Sequence, residues 1–308
     1  MQYRINKPIF IVGSPRSGTS ILTWCLGQHP NILPVPESNW MGQFAVNVAI
    51  SYRVGTARNN RTILSAMDIS REEFFSNFGR GIDDLILSHR LDLERKRKMT
   101  RPLTEPKMRW VDGTPEYSLH IYALHKLFPQ AVFIHVLRDV RDVVRSMLNF
   151  HRVAGTHLVQ NEEQAYKYWL RMVKACVQAE RAYGSGVVHR LSYTALTNDP
   201  MWAIRSLLEF VGEPYSARCL DPLSRRINSS NVPPDFVAED PSTDPSLVQD
   251  ATNLYARLQQ MAQSAEASSA VADEIEAAFT EQVEHLATVD KQLHKAMRMI
   301  QTLEKAGS

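Results

Sequence analysis

The chain contains only three cysteines, Cys25, Cys176 and Cys219, odd in number and widely scattered. They build neither a disulfide framework nor a metal-ligand spacing, which points to a reducing compartment. No apolar run approaches the ~18 residues of a membrane span, so no integral membrane segment is expected. Residues 1–12 are too short for a secretory leader, and the expectation is a cytoplasmic protein. Excess charge is also lacking: 35 Lys and Arg against 33 Asp and Glu leave a formal net charge of +2. Nucleic-acid binding therefore has no compositional support. The local basic run Arg95-Lys96-Arg97-Lys98, with Arg101, reads either as a solvated loop or as a greeting for an anionic substrate.

With 44% hydrophobic residues over 308 positions, the chain can fill a complete core. That length suits one large α/β domain with an appendage, or two domains. The stretch that organises it is Pro8 to His29. Ile9-Phe10-Ile11-Val12 reads as a buried strand, rich in β-branched residues and ended by glycine. Gly13-Ser14-Pro15-Arg16-Ser17-Gly18-Thr19-Ser20 is a small, turn-prone loop, and Ile21, Leu22, Cys25 and Leu26 then follow helical periodicity. Strand, glycine-bounded loop and helix form a cradle whose N–H groups and helix N-terminus converge on one anion. Ser17, Thr19 and Ser20 add hydroxyls, and Arg16 adds a fixed, forked charge. The spacing is that of the phosphate loop G-x-x-x-x-G-K-[ST], except that Thr19 stands where a nucleotide kinase has its lysine. That exchange argues against ordinary ATP or GTP hydrolysis.

Ile32-Leu33-Pro34-Val35 is expected to return as a strand whose C-terminal end lies beside the first loop, which puts Glu37 at the mouth of the anion site. A carboxylate there is unfavourable unless it has a task such as proton abstraction; the alternative is a helix-start acid. Residues 41–100 are helix-like, and Arg109 to Tyr117 reads as a polar loop. Ala131 to Leu137 is a second buried strand, followed at once by Arg138 and by a helix from about Val140, capped by Asp139. Arg138 and Ser146, eight residues apart, can grip one phosphate from a strand end and a helix side. Asn161 to Tyr183 reads as a long helix, Val187 to Leu191 as a third strand, Ser192-Tyr193 as the start of a loop, and Asp199-Pro200 as the cap of a helix ending at Gly212. Residues 224–245 read as linker.

From about Asp250 the chain has no proline, and no glycine until Gly307. A heptad fits, with Ala272, Phe279, Leu286, Leu293 and Ile300 at a, and Ile275, Gln282, Val289, Ala296 and Leu303 at d. This describes either a coiled coil, through which the chain would form a homo-oligomer, or a long helix lying on the protein's own body. The expected division is a catalytic domain at 1–245 and a helical extension at 246–308.

GSPRSGTS after a strand, Glu37 within HPNILPVPES, and LRDVRDVVRS after another strand together resemble the PAPS-dependent sulfotransferases, in the branch with Pro-Arg-Ser-Gly-Thr that includes tyrosylprotein and many bacterial sulfotransferases. SYTALTNDPMWAIRSLLEFVGEPY resembles the family's later tyrosine-loop–DP–helix segment, and the resemblance covers about residues 7–216. It implies a P-loop-like three-layer α/β sandwich around a central parallel sheet. It implies that Arg16, Ser17, Gly18, Thr19 and Ser20 hold the 5′-phosphosulfate of 3′-phosphoadenosine-5′-phosphosulfate (PAPS), that Arg138 and Ser146 hold the 3′-phosphate, and that Tyr193 belongs to the same cofactor site. Glu37 would be the general base toward an acceptor hydroxyl and Arg16 would stabilise the bridging oxygen, without metal.

Relatives often carry Asp-Lys-Thr-Pro or Asp-Lys-Ser-Pro where this chain has Asp112-Gly113-Thr114-Pro115. If that lysine assists the leaving phosphate, its absence leaves Arg16 alone or calls on another cation such as Lys107 or Arg109. Trp40, Phe44, Trp110 and Tyr117 are candidates for lining an acceptor site for a carbohydrate, glycolipid or small metabolite. Two other readings stand beside this one: a magnesium-dependent P-loop kinase, and a non-catalytic nucleotide-binding assembly protein.

Overall fold

The computed structural model describes residues 7–57, 61–92, 107–224 and 231–306. The basic run at 95–101 lies outside the described residues. Among those described, β1 (Ile9–Val12), β2 (Ile32–Pro34), β3 (Arg109–Asp112), β4 (Val132–Leu137) and β5 (Val188–Ser192) form one sheet in the order β2-β3-β1-β4-β5. Every pairing is parallel, with Ile9 opposite both Val111 and Val132. A parallel sheet must be covered on both faces. Strand alternation divides the cover: Ile9 and Ile11 join the layer of α1 (Thr19–Leu26) and α8 (Pro200–Val211), whereas Phe10 and Val12 face the opposite layer. That second layer holds α2 (Met41–Thr56), α3 (Arg71–Ser88), α4 (Ile121–Leu127) and part of α6 (Glu162–Tyr183). The result is the expected three-layer α/β sandwich.

One strand runs against the sequence reading. Arg109 to Asp112 is not loop but β3, buried throughout and flanked by β2 and β1. Its polar ends are held inside the protein by partners: Arg109 donates to the carbonyls of Lys7 and Val211, both distant in sequence, and pairs with Glu213, and Asp112 Oδ1 accepts from Thr114 two residues on. Lys107 donates to the Ile32 carbonyl at 2.8 Å. Lys107 and Arg109 therefore lie at the start of the strands, opposite the end where the Gly13–Ser20 loop emerges, and neither substitutes for a lysine at 113. Trp110 and Tyr117 are fully buried core residues, not acceptor-lining ones. The segment after Ser192 is likewise helix, α7 (Tyr193–Asn198), because Ser192 is still paired with Leu137 and the chain turns immediately at the strand's end.

Asp139 caps α5 (Val140–Leu148) as expected, accepting from the N–H groups of Arg141 and Asp142, and Asn161 and Asp199 cap α6 and α8 in the same way. The C-terminal helices are α9 (Pro245–Gln260) and α10 (Ser269–Ala306). Ala251, Leu254 and Leu258 of α9 pack against α5 and α6. Val271, Phe279 and Val283 of α10 are buried, with Ile275 and Leu286 beside them. Arg71 pairs with Glu276 at 2.8 Å. This face follows a spacing of about four residues, so Val283 takes the place that the heptad gives to Gln282, which is exposed. The first half of α10 thus lies in cis on the body. None of the helices among the described residues is long and apolar enough to cross a membrane.

Candidate functional site

The site lies at the C-terminal ends of β1, β2 and β4, where an open parallel sheet has its ligand crevice. The Gly13–Ser20 loop is held from below by Ser118, whose Oγ accepts from the Gly13 N–H at 2.8 Å and has its one proton shared between the Pro115 carbonyl at 2.7 Å and the Gly13 carbonyl at 3.0 Å. Gly18 precedes α1 with φ +105°, and no side chain caps that helix. A Cβ at Gly18 would lie 2.6 Å from the Tyr193 ring, so only glycine lets the loop pass there. Arg16 adopts φ 70°, a left-handed conformation that costs a non-glycine residue roughly 1–2 kcal/mol. Strain of this kind gathers where function constrains the backbone.

Two of the expected site residues, Ser146 and Arg138, converge on that arginine, and a third, Tyr193, meets Arg138. Arg16 Nε donates to Ser146 Oγ at 3.3 Å, and Arg138 Nη1 donates to the Arg16 carbonyl at 3.1 Å. The Arg138 guanidinium lies over the Tyr193 ring at 4.4 Å, and the Arg16 guanidinium over Phe150 at 4.9 Å. These contacts fix the orientation of both forks. Burial lowers the Arg16 pKa; Glu37 opposes that shift and Arg138 adds to it. Two guanidiniums this close repel, and an anion between them relieves the repulsion.

The other wall comes from β2. Glu37 follows it as expected, and its Oε1 accepts from Ser20 Oγ at 2.5 Å. A carboxylate accepting from the loop's own hydroxyl is thereby brought to the anion site from the second strand. Behind it, Thr114 Oγ1 donates to Asp112 Oδ1 at 2.6 Å and accepts from the Ser38 N–H at 2.9 Å. Burial pushes the Asp112 carboxyl up to about 7 against two hydrogen bonds from Thr114, with Glu37 adding to the rise. Burial also raises the Tyr117 phenol, which stays protonated and donates to the Ser38 carbonyl.

Gly113 explains itself sterically: a Cβ there would lie 2.0 Å from Thr23 Oγ1. The space in which a lysine stem would begin is already occupied. The sequence gives no sign of Ser118 or Phe150 as neighbours of the site, and it offers Thr114 only as part of the Asp112–Pro115 segment and Tyr117 only as an acceptor-lining candidate, not as partners of Ser38. Each is an ordinary residue locally, and only the Thr-Pro turn at 114–115 hints that this segment bends back toward the loop.

The chemistry of an anion fits what is present. Ser17 Oγ and Arg138 Nε are buried and make no hydrogen bond within the protein, although donors of this kind are nearly always satisfied. Among the described residues no group of three or more His, Cys, Asp or Glu side chains is arranged to hold a metal ion.

Comparison with known proteins adds the following. The model of the sulfotransferase family matches residues 8–217. An uncharacterised protein of Aquifex aeolicus is 26% identical over 220 residues, covering 70% of this chain and 27% of that protein. A Caenorhabditis briggsae protein, provisionally named a protein-tyrosine sulfotransferase, is 24% identical over 221 residues, 71% of this chain and 70% of its own length. Among solved structures, the sulfotransferase domain of the Synechococcus PCC 7002 olefin synthase aligns over 91% of this chain and 97% of that one, at 18% identity and a TM-score of 0.46.

Proposed function

Because this chain belongs to the sulfotransferase family, we propose that it moves the sulfuryl group of PAPS to a hydroxyl of a carbohydrate, glycolipid or small metabolite. The observation that carries the reading is the meeting of Arg16, Arg138 and Ser146 on one side of the Gly13–Ser20 loop with Glu37 on the other. In this reading Arg16, Ser17, Gly18, Thr19 and Ser20 surround the 5′-phosphosulfate, the buried Ser17 hydroxyl finding there the acceptor it lacks within the protein. Arg138 and Ser146 take the 3′-phosphate, and Tyr193 closes the cofactor side beneath the Arg138 guanidinium.

When bound, PAPS supplies an activated sulfuryl group whose transfer needs donors and cations rather than a long proton relay. Glu37, exposed at the mouth, takes the proton of the incoming hydroxyl. Ser20 orients that carboxylate through the 2.5 Å hydrogen bond. Arg16, held by Ser146 and Phe150, offsets negative charge that grows on the bridging oxygen. No metal is called on. Trp40 is 42% exposed three residues beyond Glu37, and its ring meets Phe44 at 5.7 Å, which makes this pair the surface for the acceptor's body.

Mixing the protein with PAPS and a panel of neutral and acidic hydroxyl compounds, with EDTA present, tests the reading. Release of 3′-phosphoadenosine-5′-phosphate (PAP) together with a sulfated product supports it. Turnover of ATP with magnesium, and none of PAPS, would restore the kinase reading.

A further inference from the structure

The turn from Asp112 to Ser118 touches both halves of the site. On one side Ser118 Oγ engages both backbone groups of Gly13, and Gly113 is wedged against Thr23 of α1. On the other side Thr114 Oγ1 holds the Ser38 N–H at 2.9 Å, and Tyr117 Oη holds the Ser38 carbonyl and accepts from the Met41 N–H at 3.3 Å. Both backbone groups of the residue next to Glu37 are therefore fixed by side chains of one turn. The polarity of the chain is determined too. Asp112 Oδ1 accepts from the Thr114 N–H at 2.9 Å and from its hydroxyl at 2.6 Å. The single hydroxyl proton of Thr114 is thereby used, which leaves an oxygen lone pair for Ser38.

We propose that Asp112, Thr114, Tyr117 and Ser118 are positioning residues that set the distance between Glu37 and the Gly13–Ser20 loop. The proposal rests on the sulfuryl-transfer reading for its consequence in rate, and on geometry alone for its consequence in structure. Glu37 itself is exposed, so burial does not hold it. Its place is defined by Ser20 at the side chain, by the Val35 N–H bonded to the Val111 carbonyl at 2.9 Å, and by this turn at Ser38. Removing the turn's grip frees the carboxylate while leaving the nucleotide-side arginines, which the turn does not touch through Thr114 or Tyr117. Misplacement of a reacting group by about 1 Å can cost on the order of 100-fold in rate.

The test uses Thr114→Val, which keeps the shape and removes both hydrogen bonds, Thr114→Ser as its rescue, and Tyr117→Phe as an independent cut. The readouts are PAPS turnover with p-nitrophenol as acceptor, PAP affinity by calorimetry, and a crystal structure of each variant. The expected result is a fall in kcat of about 10- to 100-fold for Thr114→Val, with PAP affinity within about twofold of the wild type and recovery in Thr114→Ser. The crystal structure should show the Glu37 carboxylate away from Ser20 Oγ. Unchanged kcat, or Glu37 still on Ser20 in both Thr114→Val and Tyr117→Phe, overturns the proposal. Should the wild type itself turn over no PAPS, the sulfuryl-transfer reading fails in this assay, and the crystal structures alone decide the positioning role.

Discussion

Arg16 Nε reaches Ser146 Oγ at 3.3 Å across 130 residues of sequence. That hydrogen bond joins the loop after β1 to the helix after β4, so the two anion motifs form one site. In the proposed function its two members serve different phosphate positions, which makes them separable by substitution.

Arg138→Ala should weaken PAP by about 10- to 100-fold, as expected for losing a hydrogen-bonded charge, and should change the affinity for 5′-AMP much less. Competition binding of the two nucleotides checks this. Equal losses for both would remove Arg138 from the 3′-phosphate.

Glu37→Gln should preserve PAP affinity and lower turnover by about 100- to 10,000-fold, the usual span for a general base. Undiminished turnover would return Glu37 to the status of a solvated acid beside Ser20.

Gly113→Lys should destabilise this chain because its Cβ would lie 2.0 Å from Thr23 Oγ1 and 3.2 Å from Thr23 Cβ. Overpacking of this kind costs typically about 1–3 kcal/mol. Thr23→Ala removes the nearer atom, so the double variant should melt closer to the wild type. Thermal denaturation of the set checks the coupling.

A buried pair carries a pH dependence. His135 Nδ1 lies 2.5 Å from Glu180 Oε1, with Arg190 Nε 3.7 Å from the other oxygen. Burial alone would lower the His135 pKa, but Cys176 and Glu180 outweigh it and raise the value to about 10. A raised folded-state pKa stabilises fully below the unfolded value near 6.5, and that contribution is lost as pH rises toward about 10. Urea midpoints measured from pH 6 to 9.5 should fall across that window, and His135→Gln should flatten the slope. Equal slopes would show that the pair does not set it.

The parts of the site that were legible in the sequence are those written locally. Gly13 to Ser20 and Arg138 to Ser146 each follow an apolar strand directly, so spacing alone assigns them to one sheet edge. β3 was not legible, because Arg109 and Asp112 look like loop residues until Val211, Glu213 and Thr114 are seen to partner them. Sequence separation hides the roles of Ser118 and Thr114, whose partners Gly13 and Ser38 are 105 and 76 residues away. In the C-terminal helix the heptad and the real cis face share Phe279, Ile275 and Leu286 but differ at Val283. A seam of 3.5 and a stripe of 3.6 residues per turn diverge by only ~20° per heptad. Over two turns, pattern does not separate them.

The cis packing has its own consequence. A chain ending at residue 288 should fold with a nearly unchanged melting temperature, whereas one ending at residue 268 loses Phe279, Val283 and the Arg71–Glu276 pair. Burying each of the two apolar side chains contributes roughly 1.5–3 kcal/mol, so the shorter chain should be several kcal/mol less stable. Equal stability of the two truncations would contradict the cis arrangement.

The most direct measurement is a calorimetric titration of the full chain with PAP, against ADP and against ATP with magnesium, in paired experiments with EDTA. If Arg138 and Ser146 hold the 3′-phosphate that ADP lacks, PAP should bind in EDTA at least about tenfold more tightly than ADP. Tighter binding of magnesium-ATP than of PAP would contradict it.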